Sequence, residues 1–416
     1  MIKFLQKTSW VLMIILLALT PLHGLLSTFL LYKLELVNYA GVSLLIAAWK
    51  ELLVGLLAVI AVVSCLVKRR EMTGVQWFII GFVAVGLIVS LTNWQQVSLT
   101  QFIWGARTEW SFLVLLFALV FLMREWTKQQ VATLVKVAIG TGVVVLIWGL
   151  LVQLVRAEFL VNLGYRNDWS TFYLDQAPAF CQKEGGVDFC RMQSTFVGPN
   201  RYAAYLLVML PLFWFGIKRT WQKYLLVLLG VISLGLTLSS TAWMALGLMV
   251  VVYLAWFYRR LWLKYWKVIG GVGVVVVLVG GVLAIIFGNR VLDASGSEHF
   301  VRTLAAWHTF VENPLGFGVG TAGPASYKVG DGFIPENWYL QVAVNTGIFG
   351  LVMFMAIWVE VFRKIHADCK RKVSKWQLIA GLALIGVLAQ NFFLHTWEEP
   401  GVYVVLLFLV GVGSKE

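Results

Sequence analysis

Residues 43–70 read SLLIAAWKELLVGLLAVIAVVSCLVKRR, an apolar stretch that stops at three consecutive basic residues. A helix that crosses the hydrocarbon core of a bilayer needs about 20 predominantly apolar residues. The stretch therefore predicts a membrane-spanning helix. Because Lys and Arg collect in short cytoplasmic loops, the basic residues at its end predict that this end faces the cytoplasm.

Similar apolar runs recur along the whole chain. Its 416 residues are 60% hydrophobic and only 13% charged, with a mean hydropathy of +0.84, whereas a soluble domain carries roughly 25% charged residues. This composition excludes a soluble globule, and 27 Phe, 20 Trp and 13 Tyr exclude a disordered chain. We predict an all-α, polytopic integral membrane protein that forms one membrane domain over residues 1–416. Its twelve predicted spans lie at about 10–32, 43–67, 75–92, 108–123, 132–155, 200–217, 224–239, 241–258, 268–288, 341–362, 377–396 and 401–413.

The loops between the predicted spans differ in charge. With twelve spans, the basic loops and both termini fall on one side of the membrane, which the enrichment of Lys and Arg identifies as the cytoplasm. Basic residues beside anionic lipid account for the net charge of +13, so we predict membrane lipid, and no nucleic acid, as a partner. The basic positions on this side are Lys3, Lys7, Lys68, Arg69, Arg70, Arg124, Lys128, Lys218, Arg219, Lys223, Arg259, Arg260, Lys264, Lys267, Arg363, Lys364, Lys370, Arg371, Lys372, Lys375 and Lys415.

Two long loops fall on the outer side, at about 156–199 and 289–340. Long ordered loops in a compact protein commonly carry function, and we expect the second loop to be catalytic. The first contains Cys181 and Cys190, nine residues apart, and an oxidising outer compartment favours a disulfide between them over two free thiols. Two cysteines are too few ligands for a metal site.

Short glycine and polar motifs mark the second outer loop and the spans beside it. Gly316, Gly318 and Gly320 follow no predicted strand, so they predict a tight turn with positive φ rather than a nucleotide site. The other motifs are Pro199-Asn200, Thr237-Leu238-Ser239-Ser240, Arg302 with Trp307, Asn313-Pro314, Glu336-Asn337-Trp338-Tyr339-Leu340 and Asn345-Thr346-Gly347.

In this order and spacing, the motifs resemble those of the O-antigen ligase and polymerase family of bacterial surface-polysaccharide assembly. The resemblance covers roughly residues 190–360 in motif detail, and the other helices match as a layout of ten to twelve spans. Two positions depart from the family pattern, because Glu336 stands where the ligases have His and Ser240 stands where the family has Arg. An acidic residue in place of that His is similar to the polymerase branch, or to relatives that make capsule or teichuronic-type polymers. Ligase and polymerase both stay open.

The resemblance implies glycosyl transfer at the outer face of a bacterial cytoplasmic (inner) membrane. The implied donor is a glycan on an undecaprenyl diphosphate carrier, and the implied acceptor is a hydroxyl of a glycan or glycolipid. A lipid diphosphate leaves as a stable anion and needs cations, whereas the acceptor hydroxyl needs a base worth roughly 10²–10⁴-fold in rate. The chain has no Asp-x-Asp pair, so we expect no cofactor and no essential metal.

Candidate roles follow from that chemistry. Glu336 is the candidate base, with a pKa that we expect nearby lipid to raise, and an acid that favours a helix dipole is the alternative. Arg302 is the candidate cation for the diphosphate, because a guanidinium binds phosphate oxygens bidentately. Arg191 and Arg201 flank the other outer motif and are candidates for the same anion. The other candidates are Asn200, Asn337, Ser239, Trp307 and Tyr339 for substrate binding, His299 and His308 as substitutes for the missing family His, and Asp331 as a reserve base.

Two other functions stay open. A transporter or flippase for lipid-linked oligosaccharide also fits twelve spans, and it should place paired charges or broken helices at the membrane midplane. A structural scaffold would not need aromatic-rich outer loops. If Arg302, Glu336 and Arg201 face one cavity at the outer leaflet, the enzyme is favoured, whereas a polar cavity at mid-depth favours the transporter.

Overall fold

The computed structural model describes residues 2–155, 157–167, 176–183, 189–258, 264, 294–328, 332–366 and 373–415. These residues are mostly α-helical and include no β-strand, only one isolated bridge between Arg166 and Ala179. The all-α prediction is therefore confirmed. The helices are α1 (Ile2–Leu19), α2 (His23–Thr28), α3 (Ala40–Lys68), α4 (Gly74–Thr92), α5 (Leu99–Leu122), α6 (Lys128–Val155), α7 (Pro199–Pro211), α8 (Thr220–Leu236), α9 (Ser240–Phe257), α10 (Ala294–Glu312), α11 (Trp338–His366), α12 (Lys375–Gln390) and α13 (Pro400–Gly413).

Each predicted span overlaps a helix wherever the chain is described, although α1 and α5 begin eight and nine residues before the predicted starts and α10 lies in a segment predicted as a loop. Seven helical segments are long and apolar enough to cross a membrane, and α8, α12 and α13 are shorter apolar helices. Helix α7 continues as a π-helix over Leu212–Gly216 and so covers the predicted span at 200–217. The predicted span at 268–288 lies outside the described residues, so the count of twelve stays a prediction. The seven long segments are Ile2–Lys33, Ala40–Lys68, Gly74–Thr92, Leu99–Leu122, Lys128–Val155, Ser240–Phe257 and Trp338–His366.

The predicted end of the eleventh span is wrong by six residues. The apolar run at 377–396 suggested a span, yet α12 ends at Gln390 and residues 391–399 form a turn. Asn391 makes this turn, because its side chain donates to the carbonyl of Val387 and accepts from the backbone N–H of Thr396, at 2.7 and 3.0 Å. A side chain that satisfies both ends of a turn outcompetes continued helix. The polar residues from His395 to Glu399 therefore lie outside α12.

Both termini lie at the same end of the bundle, where they contact the segment between α5 and α6. The Gln6 amide donates to the carbonyl of Glu125, Lys68 and Arg70 pair with the Glu125 carboxylate, and Lys415 donates to the carbonyl of Trp126. The start of α1, the end of α3 and the C-terminus therefore lie together, as an even number of spans requires. That this end faces the cytoplasm stays a prediction from the basic loops.

Stacked aromatic rings fix the turn before α13 within the bundle. The ring of Trp397, in the turn before α13, lies between Phe112 of α5 and Trp358 of α11, with centroids 4.8 and 4.5 Å away. All three residues are buried. Aromatic pairs of this kind contribute about 0.5–1.5 kcal/mol beyond their buried area. The stack therefore fixes the turn over residues 391–399 against two long helices.

The glycine-rich stretch forms the turn that the sequence predicts. Gly316, Gly318 and Gly320 have φ values of +90°, +112° and +87°, a region that L side chains rarely adopt. The side chain of Asn345 ties this turn to α11, because its Oδ1 accepts from the backbone N–H of Ala322 at 2.7 Å. The turn is thus a packed structural element between α10 and α11.

The predicted disulfide is present. Cys181 and Cys190 are bonded, with their Cα atoms 5.0 Å apart, and Cys181 is fully buried. The bond closes a short loop beside Gln182, whose backbone carbonyl accepts from the N–H of Arg191 at 3.0 Å. Because Gln182 also lines the cavity described below, the bond supports one wall of that cavity.

Removing the disulfide should lower stability without changing the fold. Closing a loop of about ten residues restricts the unfolded chain, and the chain-entropy relation gives about 2–3 kcal/mol. We expect a double Cys181→Ser, Cys190→Ser variant to denature at a lower temperature in detergent. A reducing agent should destabilise the wild type and leave the double variant unchanged. Equal melting temperatures for the two proteins would contradict this account.

Candidate active site

A cavity of about 630 Å³ lies among connections that the sequence predicts on the outer side. The start of α7, the middle of α10, the segment before α11 and the turn before α13 each contribute a wall. The lining residues are Gln182, Val197, Gly198, Pro199, Asn200, Arg201, His299, Arg302, Pro324, Tyr327, Ile334, Glu336, Leu394, His395, Thr396 and Glu398. Four elements that are distant in sequence therefore meet around one polar space.

Four of the predicted site residues line this cavity: Glu336, Arg302, Arg201 and Asn200. His299 lies one helical turn before Arg302 on α10 and reaches the cavity too. Its Nδ1 is 3.3 Å from Glu336 Oε2, and Arg302 Nη1 is 3.8 Å from Glu336 Oε1. One carboxylate is thus held between an imidazole and a guanidinium.

Glu336 occupies a constrained position directly before α11. Its φ of +34° is unusual for a residue with a side chain, and such outliers persist only where the surroundings enforce them. Burial alone would raise the pKa of Glu336, but the hydrogen bond with His299 and nearby positive charges, including Arg302, outweigh burial and lower it. The expectation of a raised pKa is therefore wrong, because the cavity supplies cations as well as apolar surface. Glu336 is ionised at neutral pH.

Arg201 and Asn200 enter the cavity from the first turn of α7. Pro199 begins this helix at a position that needs no N–H donor. Arg201 Nη1 lies 3.3 Å from Glu399 Oε2, and the Oδ1 of Asn200 accepts from Arg191 Nη2 at 2.8 Å. The structure thus places a second guanidinium in the cavity that contains Arg302.

Arg191 lies behind the cavity wall. Besides its bond to Asn200, its Nε donates to the backbone carbonyl of Thr237 at 2.8 Å. Arg191 therefore joins the segment before α7 to the turn between α8 and α9, and it orients Asn200. It is not among the residues that line the cavity.

Asn337 and Tyr339 serve the local structure of α11. Asn337 Oδ1 accepts from the N–H of Leu340, which caps the helix, and its Nδ2 donates to the carbonyl of Phe392, both at 3.0 Å. The hydroxyl of Tyr339 donates to the carbonyl of Leu388 at 2.7 Å. Neither side chain lines the cavity.

Three further candidates also lie away from the cavity. Ser239 is buried just before α9, with its Oγ 3.2 Å from the hydroxyl of Thr241. Trp307 is 51% exposed on α10, and His308 beside it is exposed as well. Asp331, the reserve base, lies outside the described residues.

Sequence reasoning missed His395 and Glu398, which line the cavity from the turn before α13. The span predicted at 377–396 placed His395 inside the membrane. The signal that could have revealed both is the polar string His395-Thr396-Trp397-Glu398-Glu399-Pro400, which separates two short apolar runs. Burial lowers the pKa of His395 to about 4, so its imidazole is neutral at pH 7.

Glu398 differs from Glu336 in its surroundings. Its Oε1 accepts from the amide of Gln341 at 3.3 Å, and among the described residues no Lys, Arg or His comes within 4 Å of its carboxylate. Burial raises the pKa of Glu398 to about 7, against the opposing effects of the Arg201 charge and the Gln341 hydrogen bond. The residue is only partly exposed, and that exposure faces cavity space.

A smaller cavity of about 230 Å³ adjoins the first and shares Val197, Arg201, Pro324 and Glu398 with it. Its other polar groups largely satisfy each other. Arg107 Nε lies 3.1 Å from Glu51 Oε1, and Lys50 Nζ lies 3.0 Å from a nitrogen of His23. Glu398 therefore stands between two adjoining polar spaces.

The described residues contain no group of three or more His, Cys, Asp or Glu side chains arranged to hold a metal ion. The expectation of a metal-independent site stays a prediction.

Residues 225–355 match the model of a protein family described as O-antigen ligase. Over this segment the chain is similar to the O-antigen ligase family. The family resemblance drawn from the motifs is thereby confirmed. The matched segment includes Arg302, His299 and Glu336, whereas Arg201 and Glu398 lie outside it. The matched segment therefore contributes only some walls of the cavity. No curated protein sequence matches the chain.

Proposed function

We propose that the chain is a membrane glycosyltransferase that moves glycan from an undecaprenyl diphosphate carrier onto a sugar hydroxyl at the outer face of the bacterial cytoplasmic membrane. The single observation that carries the proposal is the meeting of Arg302, Glu336 and Arg201 in one cavity. The family match over 225–355 supports the same reaction class. Both termini would then be cytoplasmic, and the partners would be the lipid-linked donor, a glycan or glycolipid acceptor and membrane lipid.

The two guanidinium groups suit the leaving diphosphate. As the anomeric C–O bond breaks, its electron pair moves onto a phosphate oxygen, and the added negative charge needs nearby cations. Arg302 and Arg201 keep their charge at every accessible pH and present several N–H donors. Cations fixed in advance at such a position stabilise the transition state more than mobile ones do. Glu336 and Glu399 hold these guanidinium groups in place before the donor arrives.

The acceptor hydroxyl needs a carboxylate to take its proton. Glu336 is the base that the family motif suggests, and it is ionised and therefore able to accept a proton. Asn200, fixed by Arg191, offers its amide to a sugar hydroxyl on the same side. The cavity volume of about 630 Å³ is in the range of small-molecule sites, which suits the reacting sugar with its diphosphate.

The smaller cavity gives a specific reason to keep a flippase as the second candidate. Lys50 is the eleventh residue of α3, which puts it about 15 Å along that helix from its outer end. Charged groups at such depth often belong to transport pathways. Their mutual pairing favours a structural role here, because a transport site must leave charges available for its cargo.

Reconstitution separates the two candidates. The purified chain is placed in liposomes with an undecaprenyl diphosphate-linked glycan and an acceptor glycan. We expect a longer or ligated glycan together with one free lipid diphosphate per transfer. Translocation of an unconsumed donor would instead support the flippase. In cells that lack the protein, loss of long chains with one repeat still attached indicates a polymerase, and loss of all attached glycan indicates a ligase.

A further inference from the structure

The cavity contains two carboxylates that differ in how strongly they are already engaged. The two oxygens of Glu336 face His299 and Arg302 separately, at 3.3 and 3.8 Å. Glu398 has a single hydrogen bond among the described residues, from the amide of Gln341 to Oε1, which leaves Oε2 available. A proton acceptor needs an oxygen that an incoming hydroxyl can reach.

Glu398 is also the better placed of the two for access. It borders both cavities, whereas Glu336 borders only the larger one. Arg201 borders the same two spaces, so a diphosphate held there would lie beside Glu398. A hydroxyl approaching from either space would therefore meet the Glu398 carboxylate.

We propose that Glu398 takes the proton from the acceptor hydroxyl, and that Glu336 positions Arg302 and His299 instead. This inference rests on the proposed glycan transfer. The acceptor oxygen forms its bond to the anomeric carbon while its proton passes to Glu398, and the departing diphosphate takes the electron pair of the broken C–O bond. After the product leaves, Glu398 releases the proton to cavity water.

Proton affinity supports the assignment that the geometry makes. A base works best when its pKa lies close to the working pH, because it is then largely ionised and still has a high affinity for the proton. Glu398, with a pKa of about 7, meets that condition, whereas the cations around Glu336 lower its pKa and make it a weaker base. The charged and titratable groups that face Glu398 or share its cavities are Arg201, Glu399, Glu109, His299, Arg302, Glu336, His395, Tyr327, His23, Lys50, Glu51, Arg107 and Tyr403.

The pH profile of kcat/KM tests the proposal on the wild-type protein. A base must be ionised, so kcat/KM should rise about tenfold per pH unit on the acid side and level off above about pH 7. If Glu336 were the base, the profile would already be flat around neutral pH, because the hydrogen bond with His299 and the nearby cations hold the pKa of Glu336 below its usual range. Such a flat profile overturns the proposal.

Variants show which residue causes the pH-dependent rise of kcat/KM. Glu398→Gln should lower kcat by roughly 10²-fold or more, with little change in donor KM. It should also abolish the rise of kcat/KM on the acid side of the pH profile. Glu398→Asp should keep part of the rate, and its kcat/KM should level off at a different pH. Imidazoles as a class titrate near neutrality, so the rise of kcat/KM on the acid side must persist in His299→Gln and in Glu336→Gln. Glu312→Gln, an exposed carboxylate on α10, is the matched control and should behave as wild type.

The outcomes separate the inference from the function it rests on. A wild-type rate in Glu398→Gln overturns the role of Glu398 and leaves the transfer reaction intact. The same holds if the acid-side rise of kcat/KM disappears only in Glu336→Gln. A wild-type protein that transfers no glycan overturns both. If Glu398→Gln fails to fold, the wild-type profile and the Glu398→Asp variant decide the matter.

Discussion

Arg302→Ala should lower the rate of glycan transfer by roughly 10²–10³-fold, the usual effect of losing one group that stabilises transition-state charge. Arg302→Lys should remain impaired by at least about tenfold, because an ammonium lacks the planar fork that binds two phosphate oxygens. The protein should stay folded, since Arg302 is partly exposed and lines a cavity rather than the packed core. Single-turnover assays with lipid-linked donor measure both effects, and unreacted donor should accumulate in cells.

His308→Gln is the matched control for Arg302. It lies on the same helix, is exposed, and does not line the cavity. We expect its transfer rate to equal that of the wild type. A wild-type rate in Arg302→Lys would exclude bidentate diphosphate binding by this residue, and equal losses in the two positions would indicate a general effect on α10.

Gly316→Ala should destabilise the protein by at least about 1–3 kcal/mol, the usual cost of a positive φ in a residue with a side chain. The structure adds a steric cost, because a Cβ at this position would lie 2.5 Å from the backbone nitrogen of Gly347. Gly347 lies at a break within α11, so the two backbone segments cannot move apart without disturbing this helix, which begins just after Glu336. Thermal denaturation in detergent should therefore shift to lower temperature, with a loss of activity.

Gly140→Ala provides the comparison for Gly316. Gly140 lies in α6, and no atom comes within 4 Å of an added Cβ. Alanine is favoured over glycine in helices by up to about 1 kcal/mol, so this variant should be as stable as the wild type or slightly more stable. If both glycine variants behaved alike, the turn over residues 316–320 would not be the constrained element described above.

The helices could be predicted because apolar length alone determines a membrane span. The end of the eleventh predicted span, at Gln390, depended on a side chain that hydrogen-bonds locally. Asn391 stands in an otherwise apolar stretch, and hydropathy cannot tell that its amide terminates the helix. Helix α10, inside a segment predicted as a loop, has mixed polarity, so apolar length gave no signal for it.

The site could be predicted only in part. Motif resemblance pointed to Arg302, Glu336, Arg201 and Asn200, and the structure brings these together. It could not separate a cavity-facing residue from a neighbour such as Asn337, which caps a helix. It also had no means to find Glu398, because that residue reaches the cavity through the packing of α7, α11 and the turn before α13. The pKa of Glu336 was mistaken for the same reason, since His299 approaches it only in three dimensions.

The most direct test of the central claim is a structure of the full chain in a lipid nanodisc with a non-transferable undecaprenyl diphosphate glycan analogue. We predict that the diphosphate lies in the larger cavity, within hydrogen-bond distance of Arg302 and Arg201, with the reacting sugar beside Glu398. A diphosphate bound at the basic end near Lys68 and Lys415, or in the smaller cavity against Lys50 and Arg107, would contradict the account.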